Sequence, residues 1–360
     1  MARIPQGAYQ AARWRLRALL AALPARSAGP APAGDGTGFR IAYLFAGTYG
    51  DFAQALRPLA RLAAAYPRAE LILCGADGYA REFAAELPAS LRIARNAEPW
   101  IWALRRVDLL LTNCVGVYRV RFDWIARFCA KRAFGFRHAH ETRRGGYADS
   151  VALVPEAGSF AGLNLEVLDL AGIPEGAGSP GGRGEAGGSK PVPPAPSGGD
   201  RPGPGKILFH IGSAGLKRDF GSRAYARLVL AILRGLEGRE VEVVMGPGDE
   251  DVALEVRSGT GHVPRLYPVS GLIRALRGFE GRVLCFNSFP AHLCHYLGRP
   301  AVVIHREAVP YGYDCAPMHR QVVLARDRDW DLSEVWDALG VAARSPGKSG
   351  APVADPRPER

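Results

Sequence analysis

The sequence predicts an α/β protein made of two doubly wound parallel sheets. Three observations carry that expectation: strand-length apolar runs alternate with helix-length amphipathic ones, the alternation occurs twice, and a Gly/Pro/Ser/Ala stretch separates the two occurrences. The chain has 360 residues, 48% of them hydrophobic and 22% charged. That is room for two cores of about 150 residues each. The same proportions exclude wholesale disorder, a collagen repeat and a disulfide-dense mini-protein.

Residues 1–38 differ in pattern from the rest of the chain. Tyr9, Ala12, Leu16, Leu19, Leu20 and Leu23 fall on one helical stripe flanked by Arg13, Arg15 and Arg17. The stretch reads as a basic amphipathic helix for an anionic membrane surface, or equally as a disordered extension. A signal peptide fits less well, because the apolar run Ala18 to Leu23 is short. From Phe39 the strand candidates are Phe39 to Phe45, Glu70 to Cys74, Leu91 to Ala94, Val107 to Asn113 and Ala133 to Phe136. Helical stretches Phe52 to Ala65, Trp124 to Ala130 and Leu163 to Ala171 complete a first lobe, residues 39–173. Residues 174–205 cannot bury enough apolar surface to offset chain entropy and read as a flexible linker. A second lobe, residues 206–340, repeats the pattern with strands Lys206 to Ile211, Val241 to Met245, Val283 to Phe286 and Ala301 to Ile304. Its helices are Tyr225 to Leu236 and His292 to Leu297. Residues 341–360 read as a disordered tail. Two such lobes imply a cleft between them.

Basic residues outnumber acidic ones by 46 to 35, a net charge of +11, so the expected partner is acidic: a phosphosugar, an anionic membrane or nucleic acid. No DNA- or RNA-binding motif accompanies the charge, and nucleic acid is not expected. Cys74, Cys114, Cys129, Cys285, Cys294 and Cys315 are scattered without a CxxC pair, as in a reducing compartment. No apolar run reaches the ~20 residues of a membrane span.

In open α/β sheets ligands bind beyond the carboxyl ends of strands, which singles out three turns. The first is Ala46-Gly47-Thr48-Tyr49-Gly50-Asp51, where glycines admit a ligand to the backbone and Asp51 could accept a proton from a hydroxyl. An ordinary helix cap would also place Asp there. The second, His210 through Arg218, offers Ser213 and Lys217 to a diphosphate, or else a solvated turn. It has neither a P-loop ending nor the GxGxxG fingerprint. The third, Phe286-Asn287-Ser288-Phe289-Pro290-Ala291-His292-Leu293, opens a helix near Pro290 with His292 in its first turn. His138-Ala139-His140-Glu141 is a poor metal signal without a third spaced ligand, and no GxSxG elbow is present.

In this order the three turns resemble glycosyltransferase family 9, the heptosyltransferases of lipopolysaccharide core assembly. Gly50-Asp51 matches the family's opening Gly-Asp turn, and Ser213 with Lys217 its donor-side hydroxyl and Lys. Asn287 through Leu293, followed by Gly298-Arg299-Pro300, matches its Asp-Ser/Thr-Gly-Pro-x-His-Leu motif and Gly-x-Pro. The resemblance runs from about Phe39 to about Leu339. It implies a GT-B fold, two Rossmann-like doubly wound domains facing each other across a cleft, with acceptor in the first domain and nucleotide sugar in the second. Asp51 would be the general base of an inverting transfer, and Ser213 and Lys217 would neutralise the leaving diphosphate. Asn287, Ser288 and His292 would help hold the donor, and Glu250, or Asp249 beside it, would be the nucleotide-side carboxylate. The implied donor is ADP-heptose and the implied acceptor a lipid-linked phosphorylated glycan. The enzyme would be cytoplasmic, peripheral on the inner membrane, and would need no metal or other cofactor. Against the family pattern, Asn287 stands for Asp, Phe289 for Gly and Gln54 for a common His, while Pro58 comes one place late. These departures motivate an alternative: an inactive relative that binds a sugar nucleotide or glycolipid.

Overall fold

The structure is a computed structural model that describes residues 34–94, 107–113, 125, 128–138, 149–153, 160–175, 205–306, 319–324 and 330–341. The basic stripe at residues 9–23, most of the linker, the residues 139–144 around the His-x-His pair, and the tail from 342 lie outside the described residues.

The first sheet is wholly parallel. It is built from β1 (Arg40–Leu44), β2 (Glu70–Cys74), β3 (Leu91–Ala94), β4 (Val107–Thr112), β5 (Ala130–His138) and β6 (Asp149–Leu153) in the order β3-β2-β1-β4-β5-β6. Period-two alternation assigns its faces: Ile41, Tyr43 and Phe45 join one core, while Ala42 and Leu44 join another with Ile72, Cys74 and Leu110. Helices α1 (Tyr49–Ala65), α2 (Asp77–Glu82) and α3 (Phe160–Leu170) belong to this lobe. Buried Arg61 of α1 pairs with Asp169 at 2.5 Å and donates to the carbonyls of Ile173 and Pro174, fixing the chain where it leaves the lobe.

The second sheet is also parallel, in the order β12-β11-β10-β7-β8-β9. Its strands are β7 (Ile207–His210), β8 (Val241–Met245), β9 (Arg265–Leu266), β10 (Arg282–Phe286), β11 (Ala301–His305) and β12 (Arg320–Val323). One face packs on α5 (Ser222–Gly235), α6 (Glu250–Thr260) and α9 (Ser333–Leu339) through Ile207, Phe209, Val229, Val256 and Trp336. The other face carries α7 (Val269–Gly278) and α8 (Phe289–Tyr296), while α4 (Ala214–Phe220) follows β7.

The inner face of the second sheet does not end in solvent. Leu208, Leu272, Val283, Leu293 and Val303 form one continuous apolar cluster with Phe52, Leu56, Leu59 and Phe83 of the first lobe. Across this seam Arg57 donates to the His295 carbonyl at 2.9 Å, and Glu86, 4% exposed, takes both Arg277 at 2.5 Å and the Tyr296 hydroxyl at 3.0 Å.

The elements expected from the sequence and the fold agree in most strands, with three informative differences. α1 begins at Tyr49 and not Phe52, because Thr48 caps it and Asp51 supports the first turn. β5 runs from Ala130 to His138, longer than its apolar centre, because it pairs on both edges. β6, β9 and β12 lack a strand-length apolar run, and pairing with a neighbour, not local pattern, makes them strands. Cys74, Cys129, Cys285 and Cys294 are buried thiols that form no disulfide. Among the described residues no helix is long and apolar enough to cross a membrane.

A core shared by both lobes predicts one cooperative unfolding transition. Leu293→Ala removes a fully buried side chain from it and is expected to cost about 2–5 kcal/mol. Calorimetry should then show a single peak moved to lower temperature. Two separated peaks, with only the second shifted, would mean that the lobes fold independently.

Candidate active site

Each sheet reverses strand order once. In the first the reversal lies between β1 and β4, and in the second between β7 and β10. These are the topological switch points, where diverging connections leave a crevice at the carboxyl edge. The turns singled out in the sequence sit at them: Asp51 follows β1, Ser213 follows β7 and Ser288 follows β10.

After β1 the chain turns through Gly47, and Tyr79 holds that residue's carbonyl with a 2.9 Å hydrogen bond from its hydroxyl. Thr48 is the N-cap of α1 and Asp51 its third residue. Asp51 Oδ2 accepts from the Thr48 backbone N–H at 2.6 Å and from Thr48 Oγ1 at 2.9 Å. The backbone bond is one half of a capping box, whose other half is the Thr48 side chain facing the Asp51 backbone N–H. Both bonds from Thr48 fall on Oδ2, and among the described residues Oδ1 has no partner. The cap and the proton acceptor, alternatives in the sequence, are thus open to one carboxylate at once. Tyr49, the first residue of α1, donates to Glu82 at 2.5 Å, which pushes its own pKa up to about 12.

On the second sheet Ser213 is buried and caps α4, its Oγ accepting from the Leu216 N–H at 3.4 Å. Ser288 Oγ donates to the Gly212 carbonyl at 3.0 Å, tying the β10 turn to the β7 turn. Behind them Asp249 accepts from the Gly246 N–H at 3.1 Å, and its burial raises its pKa. Glu250, by contrast, is exposed, with its carboxylate on the Gly248 N–H at 3.1 Å; that backbone bonding lowers its pKa. Lys217 reaches the same loop, donating to the Gly248 carbonyl at 2.9 Å and pairing with Asp251 at 2.5 Å. Asn287 is half-buried, its N–H bonded to the Ile304 carbonyl at 2.9 Å.

His292 joins the two halves. Its Nδ1 lies 2.6 Å from Gln54 Nε2 on α1; with the Gln54 amide donating, the ring proton is assigned to Nε2. The ring packs so closely on Gly50 that a Cβ there would stand 2.6 Å from His292 Cδ2. Gly50 is therefore required by contact and not by turn geometry. The same approach sets Gly50, the neighbour of Asp51, against His292, and the helix of His292 begins after Ser288, whose hydroxyl bonds the Gly212 carbonyl next to Ser213; Lys217 and Glu250 bond the Gly248 loop.

Two departures from the family pattern acquire a structural account. Phe289 does not crowd its turn; its ring crosses the seam to Tyr49 at 5.7 Å and Phe83 at 6.0 Å. Gln54 supplies the donor that His292 Nδ1 accepts. Sequence reading passed over Asn113, which directly follows β4 at the first switch point and accepts the Ala46 N–H at 3.2 Å. Its position after a strand was the available signal.

No protein-family model and no curated protein matches the chain. Among solved structures, a family 9 glycosyltransferase from Veillonella parvula DSM 2008 superposes with TM-score 0.53 at 16% identity, covering 81% of this chain and 87% of that one. The E. coli heptosyltransferase WaaC with ADP gives 0.52 at 14%, covering 82% and 93%. E. coli ADP-heptose lps heptosyltransferase II gives 0.55 at 14%, covering 84% and 98%. The chain shares their fold, and the GT-B architecture implied by the sequence resemblance is the one present.

The junction is rich in neutral histidines. Burial holds His210, His292 and His319 down to about 4 and His295 to about 3, helped at His295 by Arg57. Among the described residues no three His, Cys, Asp or Glu side chains converge to hold a metal ion. Below the unfolded value of about 6.5 the unfolded chain binds these protons and the folded one does not, so stability falls as pH drops from 6.5 toward 4. Each histidine contributes a slope of about 1.4 kcal/mol per pH unit within that window. The urea midpoint should fall steeply from pH 7 to pH 5, and less steeply in His295→Gln. A midpoint constant over that range would contradict the buried neutral assignment.

Proposed function

We propose that the chain is a glycosyltransferase that moves a sugar from a nucleoside diphosphate to an acceptor hydroxyl with inversion at the anomeric carbon. The observation that carries this reading is the apposition of the two switch points, with Asp51 Oδ1 unpartnered on one side and the linked Ser213 and Ser288 turns on the other. The similar fold of two heptosyltransferases supports it.

In this scheme the acceptor sits over the first sheet and the donor over the second. Asp51 takes the hydroxyl proton as that oxygen bonds to the anomeric carbon, and the bond from that carbon to the diphosphate oxygen breaks. The electron pair leaves with the diphosphate, stabilised by N–H groups at the start of α4, by the hydroxyls of Ser213 and Ser288, and by Lys217. Lys217 is held ready by Asp251 and would turn from that partner toward the developing charge. Asn287 and His292 shape the donor turn, and Glu250 faces the nucleoside side. The sequence resemblance favours ADP-heptose as donor. The excess of basic residues favours a phosphorylated, lipid-linked acceptor at the inner membrane surface, met by the protein from the cytoplasm.

Asp51→Asn keeps an oxygen for the Thr48 bonds while removing the base. It is expected to lower kcat by about 10²–10⁴ and leave donor affinity within about twofold, because the base acts in the transition state. Nucleoside diphosphate release from ADP-heptose with a glycolipid acceptor reads the rate, and calorimetric titration with ADP reads affinity. Turnover near the parent level in this variant would remove Asp51 from the chemistry.

A further inference from the structure

Gln54 of α1 is a polar side chain enclosed in an otherwise apolar seam. It is 5% exposed, and its amide nitrogen lies 2.6 Å from His292 Nδ1 of α8. The other end of the amide is unsatisfied, because among the described residues Gln54 Oε1 is buried without a hydrogen-bond partner. Phe52, Leu56 and Leu59 of the same helix belong to the apolar cluster that joins the lobes. A buried acceptor left unpaired is unfavourable, so packing alone would favour an apolar side chain at position 54. The amide is explained by what its nitrogen holds.

What it holds is an imidazole fixed at two points, one helical turn apart on one face of α1. Nδ1 accepts from Gln54, while the ring edge lies on Gly50, where an added Cβ would stand 2.6 Å from Cδ2 and 3.4 Å from Nε2. Gly50 precedes Asp51 in the first turn of α1, and His292 belongs to the helix that Ser288 begins. A turn of the imidazole out of this place would therefore shift the α1 turn that carries Asp51 against the α8 turn that follows Ser288. Ser288 bonds the Gly212 carbonyl beside Ser213, so both donor-side turns stand on the far side of this one contact.

Resting on the glycosyltransferase reading, we propose that Gln54 is a positioning residue for the transfer: by fixing the His292 imidazole it sets the turn of the base against the turns of the donor. In-line attack tolerates little displacement, and a misplacement of about 1 Å costs about 10² in rate. Each substrate binds to one lobe in this reading, so the contact acts on kcat and leaves both KM values in place.

Two substitutions separate this role from a structural one. Gln54→Met keeps the length of the side chain and removes the hydrogen bond. Gln54→Glu keeps a bond, with the ring proton moved to Nδ1 to meet the carboxylate. With ADP-heptose and a glycolipid acceptor, Gln54→Met should lower kcat about 10–10²-fold, with both KM values within about twofold of the parent. Its melting temperature should not fall, because one unpaired acceptor replaces another and apolar surface is gained. Gln54→Glu should recover most of the lost rate. ¹⁵N NMR of the His292 ring in the full chain reads the contact apart from any sugar transfer: Nε2 protonated in the parent, Nδ1 protonated in Gln54→Glu, and no fixed tautomer in Gln54→Met.

A purely structural role predicts a lower melting temperature in Gln54→Met with kcat unchanged well below it, and that result overturns the inference. So does a parent-like kcat in a Gln54→Met protein whose ring has lost its fixed tautomer; the function then stands, since the parent transfers sugar. A KM that rises more than kcat falls would make Gln54 a binding residue and overturn the inference as well. A parent without a fixed tautomer removes the contact itself. A parent that shows the fixed tautomer and binds ADP but transfers no sugar overturns the function, and the role with it, and leaves the contact only as a fastening of the seam.

Discussion

The contact between α1 and α8 is the constraint on which the rest of the molecule depends. It brings the first turns of two helices from different sheets within reach of each other, and each of those helices starts at the carboxyl edge of its own sheet. Gly50 permits the approach, His292 fills it, and Gln54 fixes the orientation of the imidazole. Because the Phe289 ring and the Glu86–Arg277 pair extend the same surface, the two switch points are held face to face by apolar burial with polar contacts at its margin.

This arrangement explains how a site can be both stable and ready for a ligand. Asp51 supports a helix end through Oδ2, and among the described residues Oδ1 has no partner, so the cap does not compete with the base role proposed for it. Lys217 has the contrary arrangement, being engaged by Asp251 and the Gly248 carbonyl. In the proposed mechanism the lysine would exchange one charged partner for another and would not be stranded in a partly buried site. Phe289, which stands for a glycine in the family pattern, packs its ring across the seam on Tyr49 and Phe83.

Much of this was legible in the sequence, and the reasons are specific. The strands β1, β2, β7, β8, β10 and β11 carry local apolar runs, and a helix after each of three of them placed Asp51, Ser213 and Ser288 at strand ends. Strand order was not legible, because the pairing of β4 with β1, distant in the chain, leaves no local mark. For that reason Asn113 went unnoticed: its significance comes from Ala46, a partner supplied by tertiary structure. The roles of Gln54 and Gly50 were hidden in the same way, since each is defined by His292 on the other lobe. Glu250 and Asp249, adjacent in sequence, could be told apart only by burial, one being exposed and the other enclosed behind the Gly212 turn.

The central claim is that the seam sets an acceptor crevice and a diphosphate cradle opposite each other. A crystal structure with bound ADP tests it most directly. The account predicts the diphosphate within hydrogen-bonding distance of Ser213 and Ser288, with its terminal phosphate toward the Asp51 side of the junction and α1 still packed on α8. A nucleotide seated on the outer face beside α5 and α9, or a diphosphate turned away from Asp51, would contradict it.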